Sequence, residues 1–171
     1  MVSSFTAATV LSLAMTAGAL GWAAVSDIRH YIIPNTAPII IVIAFVLAAC
    51  LMPIQFLTGG LLTSLVIFII GAFFFARGWM GGGDVKLLAA VSLWAGPSFL
   101  SIFAVVTGLS GAILAAIMLS PLRRYMPMAS ADALTMTGPA QEPMPYGVAI
   151  AAGGLFVLAL YLPPLFLPPL R

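Results

Sequence analysis

Of 171 residues, 63% are apolar and 6% charged, with a mean hydropathy of +1.22. A single water-soluble core of this length has no room for so many apolar side chains, so the composition places the chain among polytopic membrane proteins. The net charge of +2 comes from scattered basic residues rather than a patch, which argues against nucleic acid, and a lone cysteine, Cys50, excludes an intrachain disulfide and a CxxC zinc ribbon.

The first apolar span is predicted over about Phe5 to Val25. No Lys or Arg precedes Arg29, so the stretch reads as a span rather than a cleaved signal peptide. Its small residues Ala14, Ala17, Gly18 and Gly21 recur at three- and four-residue spacing, a pattern that allows close helix approach in a bilayer. After Asp27 and Arg29 comes a break at Pro34-Asn35, since proline disfavours helix at the residue before it. A second span is predicted over about Thr36 to Leu51, in which Cys50 is expected as a small buried side chain. A third runs from about Leu61 to Ala76.

The connection Arg77-Gly78-Trp79-Met80-Gly81-Gly82-Gly83-Asp84-Val85-Lys86 then carries three of the ten charged side chains. The fourth element, Val85 to Ala95, would make roughly 17 Å of helix at 1.5 Å per residue, short of a hydrocarbon core of about 30 Å. Gly96-Pro97 ends it. It is either a short helix beginning near Gly81 or a re-entrant segment. If it crosses, Arg29, Arg77, Lys86, Arg123 and Arg124 share one face and only Arg171 lies opposite. The positive-inside rule then favours six crossings with both termini outside. A fifth span is predicted over about Phe99 to Leu119, with Gly108 and Gly111 at packing sites. The connection Pro121 to Pro145 is longer than ordinary helix connections; its Asp132 and Glu142 read as solvated loop charges. The sixth span covers about Tyr146 to Leu162. The expectation is an all-α membrane protein: one domain over residues 1–171, a bundle of about six transmembrane helices with a short fourth.

With six crossings, Asp27 and Asp84 fall at helix ends on one face. Ionisable residues at membrane depth are costly and so are functional candidates. Two carboxylates brought together repel when both are ionised, so the pair shares a proton. A protonated partner can polarise a carbonyl while the ionised one activates water, the chemistry of aspartic proteases. Gly81, Gly82 and Gly83 would let a substrate backbone approach the carboxylate. The same residues admit plainer roles. Asp84 is also placed to cap a helix, and Asp27 to close one or pair with Arg29. His30 reads as an interfacial side chain and Lys86 as a cytoplasmic anchor. One Cys and one His are too few for a usual zinc site, so neither metal nor cofactor is expected.

Three blocks resemble the type IV prepilin peptidases, a family of GxGD aspartic intramembrane proteases, and most closely their short form from tight-adherence (Flp-type) pilus systems. Asp27-Ile28-Arg29-His30-Tyr31-Ile32-Ile33-Pro34-Asn35 is similar to the family's first-aspartate block. Gly81-Gly82-Gly83-Asp84-Val85-Lys86 is similar to its GxGD block. Pro145-Tyr146-Gly147-Val148-Ala149-Ile150 is similar to the Pro-aromatic-Gly block that opens the last helix. The resemblance implies that Asp27 and Asp84 are the catalytic pair, with Gly81, Gly83, Lys86, Arg29, Pro34, Asn35, Pro145, Tyr146 and Gly147 supporting the site or binding substrate. It implies removal of the leader from pilin or pseudopilin precursors at the cytoplasmic surface of a bacterial inner membrane. Longer relatives carry a cysteine-rich zinc region and also N-methylate the product; without that insertion, methylation is not expected here. The rival reading is a non-enzymatic membrane subunit or a small transporter whose acids carry a proton or cation near the bilayer midplane.

Overall fold

A computed structural model describes residues 2–120 and 144–162, with side chains from residue 7 onward. Those residues form five helices: α1 (Val2–His30), α2 (Thr36–Ala49), α3 (Ile54–Ala76), α4 (Gly82–Leu119) and α5 (Tyr146–Leu160). Three segments are long and apolar enough to cross a membrane, Ala7–His30, Ile54–Ala76 and Gly82–Leu119. At 14 and 15 residues, α2 and α5 are about 21–23 Å long and fall short of a typical span.

The expected six separate helices are therefore not what is observed. The predicted fourth and fifth spans form one element, α4, which starts at Gly82 and is interrupted inside by Gly96, with φ 51° and ψ −171°. Only glycine adopts that conformation readily, and Pro97 follows it. The chain doubles back here, as its contacts with α5 demonstrate. A side chain on Gly154 would meet Val91, while one on the adjacent Gly153 would meet Phe103 and Thr107. In a straight helix Val91 and Thr107 would stand about 24 Å apart. Farther along, Tyr161 stacks edge-on against both Trp94 and Phe99. The limb before Gly96 thus leads away from Asp84, and the limb after it leads back.

Other expectations also shift. Helix α3 begins at Ile54 rather than near Leu61, because the turn preceding it closes at Pro53. Asp27 lies inside the last turn of α1 rather than after it: the Tyr31 N–H donates to the Asp27 carbonyl at 2.9 Å. Cys50, at the end of α2, is exposed rather than buried, since the core side of α2 is occupied by Ile41, Ala44, Phe45 and Ala48. Gly18 and Gly21 are exposed and have nothing within 4 Å of an added Cβ, and Gly108 likewise, so these three make no close helix contact among the described residues. The crossings instead use Gly60, where an added Cβ would lie 2.6 Å from the Leu93 carbonyl and the Phe45 ring, and Gly154, which meets Leu20 and Val91. The connection from residue 121 to 143, including Arg123, Arg124, Asp132 and Glu142, lies outside the described residues.

The shared core is formed by Leu20 of α1, Ile41 and Phe45 of α2, Leu87, Val91 and Trp94 of α4 and Val157 of α5. Long apolar side chains such as Leu62, Leu65 and Ile69 of α3 are exposed on the outside. An apolar exterior is what a lipid-facing helix requires, because hydrocarbon rather than water is its solvent.

Candidate active site

Both acids stand where helices begin. Asp84 occupies the third position of α4, after Gly81 at the N-cap and Gly82 and Gly83 in the first turn. It is not the N-cap itself. Its carboxyl turns back toward the Gly81 N–H, one half of a reciprocal capping arrangement. Asp27 belongs to α1 but serves α5. Pro145 caps α5 without a side-chain hydrogen bond; the Tyr146 N–H donates to the Met144 carbonyl and the Val148 N–H to the Pro145 carbonyl, and the Gly147 N–H finds its partner outside the helix. The Gly147 N–H donates to Asp27 Oδ2 at 2.7 Å across 120 positions of sequence, and the Val148 N–H also points to this carboxyl. A carboxylate at a helix N-terminus gains from the orphan N–H groups and the helix dipole, which here fix its orientation.

Gly147 permits this approach. A Cβ there would lie 2.8 Å from Asp27 Oδ2 and 2.9 Å from Ile33 Cδ1. Gly83 plays the matching part on α4, where a Cβ would stand 3.1 Å from the Ile33 Cβ. Ile33, buried between the two glycines, holds the α1–α2 connection against both helix starts. In the sequence Ile33 stands inside the first-aspartate block, and its sole local signal is that it is an apolar residue before Pro34. Tyr31 takes φ 53°, an uncommon value for a residue with a side chain, and this left-handed turn ends α1.

A cavity of about 260 Å³ opens between these elements, lined by Asp27, Tyr31, Ile32, Ile33, Asn35, Gly81, Gly82, Gly83 and Asp84. The carboxyls share it and are close enough for a charge on one to act on the other. Asp27 is only 4% exposed. Around it the remaining candidates separate. Asn35 lines the cavity and accepts a hydrogen bond from Lys86 Nζ at 2.9 Å through Oδ1. Lys86 thus ties the α4 start to the α1–α2 connection without lining the cavity. Pro34 shapes that connection, its carbonyl accepting the Ala37 N–H at 3.0 Å. Pro145 is buried and sets the start of α5. Arg29 and Tyr146 are exposed and are not among the lining residues.

Every Lys and Arg among the described residues sits at this end of the bundle. Arg29 follows Asp27 by two residues, and Lys86 follows Asp84 by two. Arg77 ends α3, whose Phe75 stands against Gly82. The break in α4, by contrast, lies twelve residues beyond Asp84, away from the acids.

No curated protein and no solved structure matches the chain. A sequence model described as the type IV leader peptidase family matches residues 14–116, more than half of the chain, and takes in both aspartates with Asn35, Gly81–Gly83 and Lys86. With paired carboxyls at two helix starts, on a scaffold of apolar helices, the chain belongs to the type IV leader peptidase family and is a protease of the leader-peptidase type.

Proposed function

We propose that the protein is an aspartic endopeptidase that removes the leader from type IV or Flp-type prepilins at the cytoplasmic surface of a bacterial inner membrane. The observation that carries this reading is the single cavity shared by Asp27 and Asp84, each carboxyl oriented by backbone N–H groups at a helix start. In the proposed cycle one carboxylate takes a proton from water, and the resulting hydroxide attacks the scissile carbonyl. The other carboxyl, protonated, donates to the carbonyl oxygen, giving a tetrahedral diol. Collapse breaks the C–N bond as a proton passes to the leaving amine. The new N-terminus departs with the apolar helix, and the leader departs as a carboxylic acid.

The orientation follows from charge. Arg29, Arg77 and Lys86, all at the acid end, support a cytoplasmic placement of that end. If the two limbs of α4 each cross, the bundle makes six crossings and both chain ends lie on the far side. A second activity as an N-methyltransferase is not part of this proposal. The reading places the acids at helix ends on one face, whereas a proton or cation carrier would hold them near the midplane.

The test is leader removal. Purified protein in liposomes, with a prepilin-type precursor and a metal chelator present, should release the leader at one peptide bond, identified by mass spectrometry. An intact precursor, or cleavage that needs added metal, would overturn the aspartic reading.

A further inference from the structure

A second concavity lies on the membrane-facing side of the same elements. Helices α2 and α3 meet at Phe45, Phe56 and Gly60, and toward the acid end a groove of about 460 Å³ opens between them. Val42 and Ile43 of α2 and Phe68 of α3 form its walls, 40%, 49% and 46% exposed. Ala89 and Ala90 of α4 form its floor. The Ser64 hydroxyl, the polar group on the α3 side, is already spent on the Ala89 carbonyl at 2.8 Å. Only the mouth is polar, where Lys86 donates to Asn35.

We infer that this groove is the docking site for the apolar helix of the precursor, seated between α2 and α3 with its N-terminal end at Lys86 and Asn35. The inference rests on the leader-peptidase reading, and names where that reaction holds its substrate. Three observations select a peptide helix over a lipid chain. Asn35 lines both the groove and the two-aspartate cavity, so a chain leaving the groove at its mouth enters the space between the acids. A floor of two alanines lets a helix backbone come close, which is how helices associate in a bilayer. The mouth is polar: Lys86 Nζ and the Asn35 amide offer hydrogen-bond partners to the backbone of the segment that precedes the helix, which an acyl chain does not have. The segment before the helix is then unwound and extended, as attack on its carbonyl requires.

Site-specific cross-linking tests this. A benzophenone amino acid is placed singly at Val42 or Phe68, in the groove, and at Leu62 or Leu109, which are more exposed and outside it. Each variant, with both aspartates intact, is irradiated in liposomes of phosphatidylethanolamine and phosphatidylglycerol with a precursor carrying a basic leader and one apolar helix. Leader removal is measured on the same samples and judges the protease reading alone. Cross-links to precursor or product that favour Val42 and Phe68 by about tenfold, a difference of 1.4 kcal/mol in occupancy, support the groove. Equal cross-linking at all four positions, none at the groove positions, or cross-links there to phospholipid only would overturn it, whether or not the leader is removed.

Discussion

At the far end of the bundle, five rings (Phe45, Phe56, Trp94, Phe99 and Tyr161) meet mostly edge to face, with centroids from 5.1 to 6.4 Å apart. The Tyr161 hydroxyl donates to the Trp94 carbonyl at 2.7 Å, beside the reversal at Gly96. At the acid end the same helices meet through glycines, and the space they leave holds two carboxyls and an open cavity. One end fills its volume with aromatic surface; the other keeps volume empty and fixes polar groups around it. The contrast teaches that packing and chemistry are separated along one bundle axis. Substitutions at the aromatic end should change stability, and substitutions at the acid end should change activity.

The largest effect expected from this separation is at Asp27. Asp27→Asn keeps an oxygen to accept from Gly147 but loses the acid–base function, so leader removal should fall by about 10³-fold or more with little change in melting temperature. Asp27→Ala should lose the same activity and also leave the Gly147 N–H unpartnered, costing about 1–3 kcal/mol of stability. Equal stability of the two variants would show that Asp27 does not hold α5. Gly147→Ala comes next. Its Cβ would press on Asp27 and Ile33, and a displacement approaching 1 Å should cost roughly 100-fold in kcat/KM. Wild-type kinetics from this variant would break the account of the glycine contact.

Tyr161→Phe probes the aromatic end. It removes one hydrogen bond and should lower stability by about 1 kcal/mol, read by thermal or denaturant unfolding in detergent, with leader removal unchanged. A large loss of activity would mean that the two ends are coupled. The smallest perturbation tests topology. In a Cys50→Ala background, Arg29→Cys and Ser120→Cys should react with an impermeant thiol reagent from the same side of the membrane. Labelling from opposite sides would contradict the doubling back of α4.

Much of this was legible in the residues because apolar length, glycine and charge act locally. Asp27 and Asp84 stand out as rare charges beside breaks in hydropathy, and Gly96-Pro97 marks the end of a limb. What the sequence could not reveal were the contacts across it. The pairing of Asp27 with the Gly147 N–H spans 120 positions, and nothing near Asp27 announces that its partner is a helix start elsewhere. In the sequence Ile33 is one more apolar residue before a proline; the fold sets both Gly83 and Gly147 against it. The spacing of Gly18 and Gly21 suggested a helix contact, yet they face outward, because small-residue spacing permits close approach without choosing the partner. The predicted fourth and fifth helices form a single element because Gly96 is the non-helical residue between them and helix continues on both sides of it.

If Asp27 and Asp84 act as one catalytic unit, leader removal by Asp84→Asn, alone and combined with Asp27→Asn, is where it must be visible. Asn can keep the hydrogen bond from the Gly81 N–H, so both proteins should remain folded, as checked by thermal unfolding. Asp84→Asn should abolish leader removal, and the double variant should be no worse than either single, since groups acting in one step are not additive. Near-normal processing by a folded Asp84→Asn protein would contradict it and leave Asp84 as a helix-start residue only.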